Sequence, residues 1–418
     1  WSQWGAWHRS APRTGAPCLT LEKLAMKKSL IALAALAATG AFAQSSVTLY
    51  GVVDVNLSSV KTSTWNTTAV TPATTPATAT SSVSSLTQNG VSSGGQNNSR
   101  WGLRVNEDLG SGLKAVAVVE SGIWADNGTI QAGPAYGRQV FGGLSSNYGT
   151  LTMGRQYTAY DDLHFAMSIQ AHNAYDVSLG SVASVTEADL KTTVAAGVSP
   201  TLTSVTPVKT ATATATAGAV AALVNKASAG VGTWVSYAPR FDNSVKFQSQ
   251  TYYGFSGAAI YGFGENKTAT TAATHGAGFN VKYANGPIVA GVAYQDQALS
   301  PTFKIKNTLI AGSYDLGVAK LYANFNRASF TTPDSFGGIA AQKEYSLGAS
   351  VPMGALTLVG QVAQSKGDDL GKSTGYGLEA WYDLSKRTRT YISYASAKKE
   401  MLNDERNTAF GAGVRHSF

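Results

Sequence analysis

Along much of this chain apolar and polar residues alternate one by one, and the alternating stretches are separated by short turns at regular intervals. Ile288, Ala290, Val292 and Tyr294 share one phase. Phe279, Val281 and Tyr283 share another, with Asn280 and Lys282 opposite. Ala319, Leu321, Ala323 and Phe325 face away from Lys320, Asn324 and Asn326. Tyr345, Leu347, Ala349 and Val351 oppose Ser346, Gly348 and Ser350, and at the end Phe410, Ala412, Val414 and Phe418 oppose Arg415 and Ser417. A period of two puts successive side chains on opposite faces of a β-strand.

The turn signals are Asn106–Gly112, Asn147–Gly149, Tyr253–Gly257, Asn285–Pro287, Asp315–Gly317, Pro352–Gly354 and Asp383–Lys386. Gly, Asn, Asp and Pro supply the backbone conformations that tight connections need. With one exception their centres lie about 30 to 40 residues apart, which fits two strands of ~10 residues and one longer loop. Seven short turns alternating with eight longer loops make sixteen strands, with both termini on the short-turn side. The expected fold is all-β: a transmembrane antiparallel β-barrel of 16 strands. A soluble sandwich shares the alternation but explains neither the hairpin spacing nor the terminal Phe418.

Composition agrees with a barrel. Only 13% of residues are charged, against about 25% in a typical soluble domain. There are 19 Tyr, 14 Phe and 44 Gly. No segment after the N-terminal region approaches the ~18 consecutive apolar residues that a membrane-spanning helix needs.

The N-terminal region has the three parts of a secretory signal peptide: basic Met26-Lys27-Lys28, the apolar run Leu30–Ala38, and Ala41-Phe42-Ala43 as the cleavage site. The apolar run is too short for a helical anchor. Residues 1–25 read as a gene-model extension upstream of the start, 26–43 as the signal peptide and 44–418 as the barrel domain, with cleavage between Ala43 and Gln44. Removing five cations and one acid from the chain's 32 and 24 leaves a mature net charge of +4. That is too weakly basic to argue for a nucleic-acid partner. Cys18 lies upstream of Met26, so the mature chain has neither disulfides nor thiolate metal ligands.

The one spacing exception lies between the second and third turns. The excess falls within Thr158–Gly232 and includes the Ala/Thr run Thr210–Gly218. A long loop in a compact fold is functional or disordered. A second Ser/Thr-rich segment, Lys61–Asn97, is expected to be the first exposed loop.

Enzyme-like signals fail on spacing. Gly367 and Gly371-Lys372-Ser373 enclose three residues where a phosphate-binding loop has four, and no strand–turn–helix unit surrounds them. His164, His172, His275 and His416 lack metal-ligand spacing. No G-x-S-x-G elbow occurs. Neither a catalytic residue nor a cofactor is expected.

Five pieces resemble the Gram-negative general porins, specifically their betaproteobacterial and neisserial branch. They are SSVTLYGVVDVNL at 45–57, SRWGLRVNEDLGSGLKAV at 99–116, GRQVFGGLSSNYGTLTMGRQY at 137–157, DNSVKF at 242–247 and the terminal GAGVRHSF. The resemblance implies a homotrimer of sixteen-stranded barrels in the outer membrane, each with its third loop folded inward to narrow the pore. It implies export through the Sec pathway and insertion by the barrel assembly machinery, with Phe418 as the assembly signal. It also implies contact with outer-membrane lipid and lipopolysaccharide. The Pro-Glu-Phe-Gly-Gly turn often found in the third loop of such proteins is absent.

Carried over position by position, Arg100, Arg138, Arg155 and Arg240 are the implied cations of the constriction. Asp161 and Asp162, with Asp176, open the third loop and could face them. A snorkelling interfacial arginine is the alternative for each. Three arginines against two aspartates leave a positive balance, so the expected function is passive diffusion of small hydrophilic solutes with moderate anion preference. Two rival readings are an adhesin that displays the loops 61–97 and 158–232, and a barrel-embedded hydrolase. The export reading predicts a mature protein beginning at Gln44; intact-mass measurement of the outer-membrane protein checks it, and a mass retaining residues 26–43 refutes it.

Overall fold

The computed structural model describes residues 45–67, 81–131, 133–170, 173–178, 230–235, 237–265, 267–269, 273–299, 303–331, 340–368, 371–399 and 405–418. The proposed cleavage site at Ala43 and Gln44 and the Ala/Thr run lie outside them.

The chain opens with β1 (Ser46–Thr67), β2 (Ser81–Ser93), β3 (Arg100–Gly110), β4 (Leu113–Trp124), the two-residue β5 (Thr129–Ile130), β6 (Gln139–Ser146) and β7 (Gly149–Tyr157). A helix, α1 (Ala159–Met167), follows. The second half holds β8 (Arg240–Ser249), β9 (Phe255–Gly262), β10 (Gly276–Asn285), β11 (Ile288–Ala298), β12 (Lys304–Asp315) and β13 (Lys320–Thr331). It ends with β14 (Gln342–Met353), β15 (Leu356–Gly367), β16 (Gly371–Asp383), β17 (Thr388–Lys399) and β18 (Glu405–Ser417).

Every pairing is antiparallel, and the sheet closes where β1 meets β18, from Val52↔Ser417 to Lys61↔Thr408. On its other side β1 pairs with β3 in its first part and with β2 beyond Val55. Together β2 and β3 therefore act as one wall strand interrupted at residues 94–99. β5 pairs only with the tip of β4. With those two features set aside, the wall is a closed sixteen-stranded barrel, and each of the seven turn signals lies at a hairpin. Gly317 and Gly354 take φ of 81° and 68° in two of these turns, a region that side chains beyond glycine rarely enter.

One expectation is corrected. Lys61–Thr67 and Ser81–Ser93 are strand rather than loop, paired as far as Thr67↔Ser81. The stretch is rich in Thr, Ser and Val, and β-branched residues suit an extended backbone.

The burial pattern is inverted relative to a soluble protein. Apolar residues of the outward phase are exposed, such as Leu347 at 59% and Leu378 at 56%. The inward phase holds buried Gln295, Asn307, Asn326, Gln361 and Ser393. Aromatics cluster near both ends of the outward face, including Phe325 with Tyr345 at 5.1 Å and Phe255 with Tyr283 at 4.7 Å. An apolar band between aromatic girdles around a polar interior is the outer-membrane barrel pattern. Phe418 belongs to the outward phase. Its backbone exchanges hydrogen bonds with Gly51 at 3.0 and 3.1 Å, and its ring occupies the space where a side chain at Gly51 would stand.

The third loop folds into the lumen. The Thr158 side chain caps α1 by accepting from the Asp161 N–H at 3.1 Å. Tyr160, Leu163 and Met167 of the helix pack with Trp234 against Ala293, Leu309 and Ala311 of the wall. Further on, Tyr175, Val177 and Val231 pack on Ala363, Tyr391, Ala395, Ala397 and Ala409.

Because Leu347 faces lipid, Leu347→Arg is expected to lower the barrel's stability by about 2–4 kcal/mol. Urea unfolding in lipid vesicles checks this, and an unchanged midpoint would contradict the outward assignment.

Candidate pore constriction

The lumen-facing phase of β3 carries Arg100, Gly102 and Arg104. Gly102 lies directly across from Glu120 of β4, which brings that carboxylate between the two arginines. Glu120 then collects several donors. Arg138 Nε lies 2.7 Å from its Oε1, Arg100 Nε lies 3.6 Å from its Oε2, and the Tyr50 hydroxyl donates to Oε2 at 2.9 Å. Arg104 stacks over the Tyr50 ring at 4.9 Å.

Tyr157, at the end of β7, is the second hub. Arg138 Nη2 donates to its hydroxyl at 2.6 Å and Arg240 Nη2 at 2.5 Å. The Arg240 guanidinium also sits 4.2 Å from the ring centroid, within cation–π range. Arg100, Arg138 and Arg240 thus meet around one carboxylate and one phenol. Lys246 of β8 adds a fourth cation, donating to the Tyr157 carbonyl at 2.9 Å and pairing with Asp162 at 2.5 Å. Beside the cluster the lumen widens into a space of about 340 Å³ lined by Arg104, Gln139, Thr152, Tyr157, Asp162 and Lys246.

One expectation needs correction. Arg155 does not join the cluster: it is directly across from Val140, an outward-facing residue 40% exposed. It ion-pairs instead with Asp242, and its Nε donates to the Gly137 carbonyl at 2.6 Å. Arg155 follows outward Leu151 and Met153, and the β7–β8 register shifts between Gly154 and Gln156, so that Tyr157 beyond it reaches the lumen. Of the loop acids, Asp161 lies within electrostatic reach of Arg240. Asp162 meets Lys246, and Asp161 is buried and accepts from the Tyr237 hydroxyl at 2.7 Å. Burial pushes the Asp161 carboxyl above its usual range, opposed by the Tyr237 hydrogen bond. Asp176 accepts from Ser168 and Ser178 within the loop.

Residues singled out by no motif do much of the positioning. Glu379 of β16 accepts from Gln96 at 2.5 Å, Asn173 at 2.8 Å and Gln170 at 3.3 Å. Glu344 of β14 accepts from the Val235 N–H at 2.5 Å, Asn326 at 2.7 Å and Ser365 at 2.9 Å. Asp54 of β1 accepts from the Gln96 N–H at 2.9 Å, the Asn97 N–H at 2.6 Å and the Tyr391 hydroxyl at 2.6 Å. These wall acids hold the 94–99 excursion and the third loop. The period-two spacing of Arg100, Gly102 and Arg104 is the sequence signal that finds Arg104. No sequence signal pointed to Glu379, because its amide partners come from segments hundreds of residues away.

A closed barrel with an apolar exterior, a polar interior and an inward loop defines an outer-membrane channel protein. The chain belongs to the Gram-negative porin family, whose pattern matches residues 29–401. It is 30% identical to an outer membrane porin protein of Bordetella pertussis and 30% identical to outer membrane porin protein 32 of Delftia acidovorans, in each case over 94% of this chain and 100% of the relative. Among solved structures, an anion-selective porin from Comamonas acidovorans shares the fold with a TM-score of 0.65 at 24% identity, covering 90% of this chain and 100% of that one. The trimer form of OmpT from Vibrio cholerae matches at a TM-score of 0.53 and 14% identity, covering 90% and 99%. The protein is an outer-membrane diffusion channel, and these relatives lend no support to the adhesin reading.

Leu163 is 1% exposed and anchors α1 to the wall. Leu163→Ala removes core contacts worth about 2–5 kcal/mol. The helix amides are expected to exchange with deuterium at least ~30-fold faster while the wall strands stay protected; unchanged helix exchange would refute the anchoring role.

Proposed function

We propose that Arg100, Arg138 and Arg240, with Arg104 and Lys246, line the narrowest part of the channel and make it moderately anion-selective. The observation that carries this reading is the convergence of Arg100, Arg138 and Arg240 on Glu120 and Tyr157. Arginine stays protonated at any working pH. Five cations on that side of the lumen stand against Glu120, Asp162 and the nearby Asp161. Low-dielectric walls focus the remaining positive potential into the aqueous path, and rings of Arg or Lys are the usual device of anion pores. The name of the Comamonas acidovorans porin agrees with this sign of selectivity. The working unit is a homotrimer, Phe418 serves as the assembly signal, and the channel needs neither a catalysed reaction nor a cofactor.

The test is the reversal potential across a planar bilayer in a salt gradient. Arg100→Ala, Arg138→Ala and Arg240→Ala are expected to move selectivity toward cations, whereas the outward Arg155→Ala leaves it unchanged. The preference fades near 1 M salt, where the screening length is ~3 Å. A cation-selective wild type, or a shift for Arg155→Ala alone, would overturn the assignment.

A further inference from the structure

Several inward apolar side chains of the barrel lie under the third loop. Ala293, Leu309 and Ala311 sit beneath α1 and Trp234, and Ala363, Ala395 and Ala397 sit beneath Tyr175, Val177 and Val231. On the wall between β3 and β8 three apolar side chains border open space instead. Val118 of β4 lies directly across from Arg104 of β3 on one side and from Phe141 of β6 on the other. Val116 lies directly across from Asn106 and from Gly143. Residues paired in this way point to the same side of a sheet. That side is the inner one, because Glu120, two residues along β4 from Val118, meets Arg100 and Arg138. The position directly across from Phe141 on β7 is Gly154. With glycines beside Phe141 and Val116, no facing side chain covers either from that direction.

The space beside these residues, about 340 Å³, has Arg104 at one edge and Lys246 at the other. The two cations are not equivalent. Lys246 pairs with Asp162 and donates to the Tyr157 carbonyl. Arg104 lies against the Tyr50 ring and joins no ion pair among the described residues. An arginine fork takes a carboxylate through two parallel hydrogen bonds, whereas Asp162 repels a second carboxylate at the far edge. Arg104 and Phe141 stand on strands two spacings apart, ~10 Å, a span that one carboxylate joined to one ring bridges. Arg104 follows Arg100 on the way to the short turn at Gly110. The space therefore lies on the periplasmic side of the arginine cluster.

The geometry points to an alcove for aryl monocarboxylates, with Arg104 holding the carboxylate and Val116, Val118 and Phe141 taking the ring. A ring laid on those three side chains releases the water that covers them, and a small inorganic anion does not. The inference deepens the anion-channel reading and rests on it for the solute's access.

The experiment is a ligand-observed NMR titration of the folded protein in detergent with benzoate, acetate and benzyl alcohol, with detergent alone as the blank. Block of the chloride current by the same solutes is recorded in a planar bilayer. The wild type is expected to bind benzoate at least ~10-fold more tightly than acetate, which lacks the ring, or benzyl alcohol, which lacks the charge. Benzoate is also expected to reduce the chloride current at a correspondingly lower concentration. Val118→Thr keeps the β-branched shape and adds a hydroxyl. It and Phe141→Ala each lower the benzoate-to-acetate ratio at least ~3-fold, and Arg104→Gln lowers the ratio of benzoate to benzyl alcohol. Each ratio is taken within one variant, so a change in pore width or in the amount folded cancels. Equal binding of benzoate and acetate by the wild type overturns the alcove even if no variant folds, and leaves the anion selectivity standing. Ratios that survive all three substitutions overturn it too. Preferential benzoate binding by a wild type whose reversal potential is cation-selective would instead sink the selectivity reading and leave the alcove standing.

Discussion

The structure depends on one constraint: inside a bilayer no water is available for the backbone, so each N–H and C=O there must find a partner in the protein. A sheet can meet that demand only by having no edge. The ten paired positions of the β1–β18 seam close the sheet, and Phe418 adds a reciprocal backbone pair with Gly51 at its end. Closure in turn forces the inversion of the side chains. Once the ladder is complete, the apolar phase faces lipid and the polar phase is left to line whatever space the barrel encloses.

That space is too wide for wall side chains alone to fill, and the chain supplies the remainder. Among the described residues, the excursion at 94–99 and the third loop leave the wall and enter the lumen. Both are tied to the wall through buried carboxylates, Asp54, Glu344 and Glu379, whose lone pairs accept from amides and backbone N–H groups. These acids are therefore engaged in holding the lumen's filling, whereas Glu120, Asp162 and Asp161 stand at the cationic cluster. The separation of roles explains how a chain with nearly balanced charge can hold a basic constriction.

The two faces of the wall do different electrostatic work. Inside, arginines are drawn together by a shared carboxylate and a shared phenol, which stabilise a concentration of positive charge at a narrow place. Outside, the cross-strand row of Arg327, Lys343, Lys366 and Lys372 joins no ion pair among the described residues.

Much of this was legible in the sequence, because the signals are local. Period two decides which way Leu347 and Ser346 point, and Gly, Asn, Asp and Pro decide where the hairpins turn, so strand count, facing and closure followed from residues near one another. Arg155 departs from its expected place: it stands across from outward Val140, where the β7–β8 register shifts, whereas a motif resemblance had put it in the pore. The paths of the inward segments were not legible. Asp161 turns to Tyr237, and Glu379 gathers Gln96, Gln170 and Asn173, through contacts between residues far apart in the chain. The sequence by itself determined the barrel and its two faces, since β-strand alternation is a property of neighbouring residues. Only the tertiary structure decided which charges meet in the lumen, since that depends on the cross-strand register and on the path of a loop through space.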